Sequence, residues 1–272
     1  MVARVRIPLG ALSNPPLAEV FTDPSMILKN KMVLITGGAR MGVAMGRAFG
    51  ARGAHVLLSY RHSRASADAA VKTLTEEGLI AESIQASLDK LPDINRLAHT
   101  IYRRYKRLDV LVHMASIYEK IGLFSPEAPK AWKDHMAAHV ESAASLCRTF
   151  APFMQKSKEG GRFIFITDWT VASGRPRYRD YTPYYVSKMA LQGLVQSLAL
   201  ELAPKILVNA IAPGPILPPP GLSSKEKKSV EQSTPLHRWG GPEELAKTAV
   251  FLTETDFVTG ETIRVDGGRH LY

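Results

Sequence analysis

A tyrosine and a lysine one helical turn apart are the pair in this chain best suited to chemistry. Tyr184 and Lys188 lie in the segment Tyr184-Tyr185-Val186-Ser187-Lys188. From Pro183 onward Val186, Met189, Ala190, Leu194, Leu198 and Leu202 recur at spacings of three and four, which predicts a helix with those residues on its buried face. Residues four apart share one side of such a helix. A phenol with a pKa of about 10 is a poor acid at neutral pH, but a neighbouring ammonium favours the phenolate and brings the proton within reach. That is general acid/base equipment for reducing a carbonyl or an imine. The same spacing arises by chance in many helices. What separates a reactive pair from an idle surface pair is a cofactor site upstream.

Such a site is legible near the start of the ordered pattern. Met32-Val33-Leu34-Ile35-Thr36 reads as a short buried strand, followed by Gly37-Gly38-Ala39-Arg40-Met41-Gly42 and a helical pattern through Phe49. Glycines there permit a tight turn and let the backbone approach a pyrophosphate, whose charge is met by the amides of the helix start. His55 to Tyr60 reads as the second strand. A site for NAD would place Asp or Glu near its end to hold the ribose hydroxyls. This chain instead has Tyr60-Arg61-His62-Ser63-Arg64. Positive and hydroxyl-bearing groups suit a 2′-phosphate, and Arg40 can approach the same place, so NADPH is the expected cofactor. The plainer alternative is an exposed basic loop.

The rest of the chain alternates strands and helices, as a parallel sheet with crossover helices requires. Ser66–Glu77 and Ile94–Tyr105 read as amphipathic helices, and Glu82–Leu88 as a third strand whose end should border the adenine. Val110-Leu111-Val112 is a further strand, and so is Arg162 to Thr167, which runs into Asp168-Trp169. Trp132–Met154 is a long helical pattern broken at Pro152, with an Ala- and Ser-rich middle suited to close packing against a second subunit. Pro215 to Pro235 is rich in proline, lysine and serine and reads as a mobile lid over substrate. A helix starts at Pro242 with acids in its first turn, and Thr262–Val265 is the last strand, closed by Asp266-Gly267-Gly268.

Bulk properties narrow the class. The 272 residues, 45% hydrophobic and 22% charged, fit a single large α/β domain, and no linker interrupts them. No apolar run reaches the eighteen or more residues of a membrane span. The single cysteine, Cys147, reads as a small core residue and points to a reducing, cytoplasmic compartment. The net charge of +10 comes without a basic block interleaved with aromatics, which argues against nucleic acid and for anionic small molecules. No metal site is assigned. Residues 1–28, with Pro8, Pro15, Pro16 and Pro24, read as a poorly ordered extension preceding a domain over 29–272. Met26 is an alternative natural start.

Three motifs in order, Thr36-Gly37-x4-Gly42, Tyr184-x3-Lys188 and Asn209-Ala210-Ile211-Ala212-Pro213-Gly214, resemble the short-chain dehydrogenase/reductase family over roughly residues 29–270. The resemblance implies one Rossmann-type, doubly wound domain with a seven-stranded parallel sheet, in a dimer or tetramer built through helices. It implies hydride transfer from a nicotinamide to a carbonyl or imine, with Tyr184 as proton donor. Lys188 is expected to hold the nicotinamide ribose and lower the tyrosine pKa. By the same resemblance Gly37, Arg40, Met41 and Gly42 meet the cofactor, together with Tyr60, Arg61, His62 and Ser63. Later in the chain Leu88, Ala115, Ser116, Pro213, Gly214 and Ile216 border it.

Departures from the family pattern refine the reading. Met41 and Val43 stand where further turn glycines are common, and His113-Met114-Ala115-Ser116 replaces Asn-Asn-Ala-Gly. His139 occupies the place of an asparagine that supports a proton relay. Asp168 stands where the family has a catalytic serine, although Thr170 could supply the hydroxyl instead. A carboxylate suits a substrate nitrogen better than a ketone oxygen. Pteridine and dihydromonapterin reductases share this Asp, and Ser59 to Ser63 and Ala115-Ser116 resemble theirs. Tyr118 then falls at an aromatic that stacks on the pterin. The loop before Tyr184, carrying Arg175, Arg177, Tyr178 and Arg179, is enlarged, and its arginines read as solvated unless the substrate is anionic. The expectation is an NADPH-dependent pterin reductase with catalytic residues Tyr184, Lys188 and Asp168 and substrate residues Tyr118, Asp168 and Tyr184. The alternatives are a 3-oxoacyl or other ketone reductase, and a catalytically silent NADP(H)-binding sensor or scaffold.

Overall fold

Residues 26–37, 41–219 and 221–272 are described by the structure, a computed structural model. Seven strands, β1 Met32–Thr36, β2 His55–Tyr60, β3 Ala81–Gln85, β4 Val110–His113, β5 Gly161–Ile166, β6 Ile206–Pro213 and β7 Thr262–Val265, form one sheet in the order β3-β2-β1-β4-β5-β6-β7. Every pairing is parallel. Between the strands run α1 Gly42–Gly50, α2 Arg64–Glu76, α3 Leu91–Tyr105, α4 Ala128–Met136, a π-helical turn Ala137–Glu141 and α5 Ser142–Gln155. The remaining helices are α6 Trp169–Ala172, α7 Thr182–Leu202, α8 Ser224–Gln232 and α9 Pro242–Glu254. The expected doubly wound, seven-stranded parallel fold in a single domain is what the chain forms.

Apolar side chains alternate across the sheet. Leu34, Leu57, Leu111, Phe163 and Val208 join the layer that holds Leu97, Phe150 and Leu191 of α3, α5 and α7. Their neighbours Val33, Val56, Val112 and Ile164 join the layer that holds Phe49 of α1 and Leu245 of α9. Both faces are covered, which explains strands that read as continuous apolar runs. The strand order reverses between β1 and β4, and at that switch point the crevice beyond the carboxyl ends is where an open α/β sheet takes its ligand.

Several sequence expectations are corrected here. The third strand lies at Ala81–Gln85 and leaves Leu88 beyond it, partly buried against the core. The pattern from Trp132 does not break at Pro152, which sits inside α5; the irregularity is the π turn. Proline removes one i to i−4 bond, and the buried Phe150, Ala151 and Met154 around it outweigh that loss. Asn209 to Pro213, the start of the third motif, lies within strand β6. Met26 and Leu28, assigned to the N-terminal extension, are buried in the core, while residues 1–25 lie outside the described residues. The lid segment contains α8, which a Ser223–Glu226 capping box starts and none of whose residues is buried.

The face of α7 is the largest correction. Its buried residues are Pro183, Tyr184, Ser187, Lys188, Leu191, Val195 and Ala199, whereas Met189 is exposed and Leu194, Leu198 and Leu202 lie only at the edge of the core. The helix is apolar on more than one side, so periodicity selects the wrong stripe. The stripe that meets the sheet carries the polar groups.

Candidate active site

The ends of β1, β2, β4, β5 and β6 bring most of the expected residues to one crevice. Gly37, at φ +73°, closes the turn after β1 directly on the loop after β4: a Cβ there would lie 2.4 Å from the Ala115 Cα. A left-handed backbone at so close an approach admits only glycine. Met41 is the residue before α1 and Gly42 its first residue. A Cβ at Gly42 would make ordinary contacts, whereas one at Gly46 would meet Leu74 at 2.7 Å. Gly46, which the sequence reading passed over, is therefore the glycine that lets α1 approach α2. Gly38 and Arg40 lie outside the described residues.

Beside Gly37, a cavity of about 190 Å³ is lined by Ser59, Tyr60, Arg61, His62, Ser63 and Ser66, among others. The expected basic end of β2 is therefore a concave site and not a loop projecting into solvent. Arg61 donates to Asp89 at 3.1 Å, and Ser63 immediately precedes α2 without capping it through its side chain. On the far side, a Cβ at Gly214 would fall 2.5 Å from the Asp266 Cβ, and Ile216 is buried.

The candidate catalytic groups meet at the end of β5. The Tyr184 hydroxyl donates to Asp168 Oδ2 at 2.8 Å. Asp168 Oδ1 accepts from the Thr170 amide at 2.8 Å and from its hydroxyl at 2.6 Å. Thr170 therefore steadies the carboxylate rather than replacing it. Lys188 is buried, donates from Nζ to the Ile166 carbonyl at 2.7 Å and lies 5.9 Å from the Tyr184 ring centre. Burial lowers the Lys188 ammonium to about 8, partly opposed by Asp168. The Tyr184 phenol is pushed well above its usual range, first by burial and then by the Asp168 carboxylate. This corrects the expectation that the lysine would make the phenol more acidic: the carboxylate is in contact with the hydroxyl, while the ammonium is turned to a carbonyl. Tyr118 meets Tyr184 edge-on at 4.8 Å, and one face of its ring is stacked on Tyr181 at 4.7 Å.

Two histidines stand behind this group in place of the family's asparagines. His113 Nδ1 lies 2.7 Å from the Thr36 hydroxyl and its Nε2 lies 3.0 Å from Ser142 Oγ. Ser142 gives its proton to the Ala138 carbonyl, so the hydrogen-bond pattern assigns the His113 proton to Nε2. His139, in the π turn, accepts at Nε2 from the Ile117 amide, which leaves its proton on Nδ1, 2.8 Å from Ser187 Oγ. Ser187 in turn donates to the Tyr184 carbonyl. His139 thus ties the loop carrying Ser116 to the helix carrying Tyr184, and π turns are frequent at such sites. Tyr181 and Ser142 were not singled out by sequence, and Thr36 and Ser187 stand in its motifs without these roles, because their partners are distant in the chain.

Both histidines are held neutral. Burial and the Lys188 charge push His113 down to about 3, and the same causes push His139 down strongly. Below pH 6.5 the unfolded chain binds protons that these sites refuse, so stability is lost as pH falls from about 6.5 toward 3, by about 1.4 kcal/mol per pH unit for each histidine. Urea unfolding between pH 7 and pH 5 should show this loss, and His113→Asn should flatten the slope. An unchanged slope in the variant would contradict the assignment.

A family model described as "Enoyl-(Acyl carrier protein) reductase" matches residues 38–270. Dehydrogenase/reductase SDR family member 4 of Homo sapiens is 32% identical over 249 residues, covering 89% of this chain and 88% of that protein. Among solved structures, FolM alternative dihydrofolate reductase 1 from Brucella canis, complexed with NADP, superposes with a TM-score of 0.81 at 29% identity, covering 90% of this chain and 96% of that one. A Pseudomonas aeruginosa RhlG/NADP active-site complex gives 0.81 at 30% identity, covering 91% and 99%.

Proposed function

The chain belongs to the short-chain dehydrogenase/reductase family, and on that premise we propose that this oxidoreductase is an NADPH-dependent pterin reductase with Tyr184 as proton donor. The observation that carries the substrate class is the 2.8 Å contact between the Tyr184 hydroxyl and Asp168, which stands where the family has a serine. An ionised carboxylate only accepts hydrogen bonds, which suits the N–H groups of a flat nitrogen heterocycle and not a ketone oxygen. A dihydrofolate reductase among the structural neighbours is compatible with this.

The residues present fit a phosphorylated nicotinamide cofactor. Gly37 puts no side chain into the close approach to the loop after β4, and Tyr60, Arg61, His62 and Ser63 line a concave site with no acid among them. Arg61 and the amides opening α2 would hold a 2′-phosphate once Arg61 leaves Asp89. Lys188, buried beside Tyr184, would hold the nicotinamide ribose. When bound, the reduced nicotinamide supplies the hydride. Tyr184 supplies the proton to the substrate nitrogen, and its raised pKa keeps it protonated, which favours reduction over oxidation. Asp168, fixed by Thr170, orients both the phenol and the substrate. We place the enzyme in the cytoplasm as a homo-oligomer; the buried Cys147, its thiol pushed up by burial, and the exposed Met189 and Leu200 on α7 support this.

Purified protein should oxidise NADPH with dihydrobiopterin or dihydrofolate, and should prefer NADPH to NADH by at least about tenfold in kcat/KM, the equivalent of one charged contact. Tight NADPH binding without turnover on any pterin or carbonyl would favour the sensor instead.

A further inference from the structure

Most arginines of the described chain lie against a carboxylate, among them Arg47, Arg61, Arg104, Arg107 and Arg162. Arg175, Arg177, Arg179, Arg264 and Arg269 have no such partner among the described residues, and all of them belong to the loop after α6 or to segments packed beside it. Arg175 reaches the His270 carbonyl and Arg264 the Ala172 carbonyl, while Arg177 and Arg269 lie over Trp169 at 5.7 and 5.6 Å. Elsewhere in the described chain only Arg103 and Arg148 lack an acid. Cations left unpaired at one place, in a protein of net charge +10, mark where an anion is to be met.

A cavity of about 600 Å³ opens on this rim, between the loop after β4 and the loop before α7. Lys120 and Arg179 line it from opposite loops, and neither has an ion-pair partner among the described residues. Leu123 and Phe124 give it an apolar wall that is half and fully exposed, and Asp180 is its one acidic lining residue. Its position relative to the chemistry is set by stacked aromatics. Tyr178 lines the cavity and meets Tyr181 edge-on at 6.0 Å, Tyr181 stacks on Tyr118, and Tyr118 touches Tyr184.

The geometry points to a second subsite: the cavity between Lys120 and Arg179 takes a carboxylate-bearing tail of the substrate whose heterocyclic head lies at Tyr184. This rests on the pterin reading given above and deepens it. The substrate class becomes a flat nitrogen heterocycle extended by an arm that ends in carboxylates, and not the bare heterocycle. Arginine pairs a carboxylate with two parallel bonds and lysine adds a point charge, while Phe124 and Leu123 cover the apolar part of the arm. At so open a site the attraction is screened by salt, so it should act on KM and weaken as ionic strength rises.

The test is selectivity between two substrates with the same reacting ring, dihydrofolate, which carries a glutamate arm, and dihydrobiopterin, which does not. In the full-length enzyme the double variant Lys120→Ala/Arg179→Ala should lower the ratio of their kcat/KM values at least tenfold, through the KM for dihydrofolate. Arg179→Glu alone should lower it further, and raising salt should lower it in the wild type. Arg103→Ala/Arg148→Ala, which removes unpaired arginines from α3 and α5, should leave the ratio alone. A ratio unmoved by the cavity variants, or moved equally by the control, overturns the subsite while leaving pterin reduction standing. Failure of the wild type to reduce either pterin overturns the pterin reading, and the subsite falls with it.

Discussion

Tyr184→Phe should lower kcat/KM for a dihydropterin by about 10²- to 10⁴-fold, the range that a positioned general acid contributes. The loss falls on kcat, because the phenol proton is needed only as the hydride adds to the carbon of the substrate C=N bond and its nitrogen takes up the proton. Cofactor affinity should change little: Lys188 keeps its own bond to the Ile166 carbonyl, and nothing in the basic end of β2 touches the ring. The fold should tolerate the change as well. The ring keeps its edge contacts with Tyr118 at 4.8 Å and His139 at 5.7 Å, and the single charge-assisted hydrogen bond lost is worth about 1.5–3 kcal/mol. Steady-state loss of the reduced-nicotinamide absorbance, beside NADPH titration by fluorescence, measures both effects. A variant retaining more than a tenth of the wild-type rate would remove Tyr184 from the mechanism.

Much of this arrangement is written locally and could be read without coordinates. Met32 to Gly42 announces strand, turn and helix because glycine chemistry and apolar runs act over a few residues. Tyr184 and Lys188 fall on one side of α7 because helical spacing alone puts them there. What stayed hidden depends on distant partners. The stripe of α7 that faces the sheet is decided by tertiary packing, and its apolar residues are distributed too evenly to reveal it. The direction of the tyrosine pKa follows first from burial and then from Asp168, sixteen positions away in the chain, and not from the lysine one turn away. His113 reaches Thr36 and Ser142, and His139 reaches Ser187, across separations that no periodicity encodes. The π turn was read as ordinary helix for the same reason: the hydrogen bonds that suit it come from the loop after β4 and from α7.

Asp168→Ser separates a pterin from a ketone substrate, and its expected effect is second only to the loss of the tyrosine. The aspartate accepts three bonds, from Tyr184 and twice from Thr170, and its charge holds the phenol proton in place. A serine hydroxyl can donate to a ketone oxygen but offers no negative charge to substrate N–H groups. Losing a charge-assisted bond of about 1.5–3 kcal/mol should cut kcat/KM for dihydropterin by about 10- to 100-fold. Turnover of a 3-oxoacyl or simple ketone substrate should rise from its baseline. Asp168→Asn keeps the size and removes only the charge, so the phenol, still raised by burial, ionises at lower pH than in the wild type. Its pH–rate profile in the direction of reduction should therefore lose activity on the alkaline side earlier, since the proton donor is spent once the phenol ionises. A reduction profile identical to the wild type would show that Asp168 does not set the tyrosine proton. An Asp168→Ser variant equally active on pterins would show that the carboxylate plays no part in choosing the substrate, and would return the ketone reading to first place.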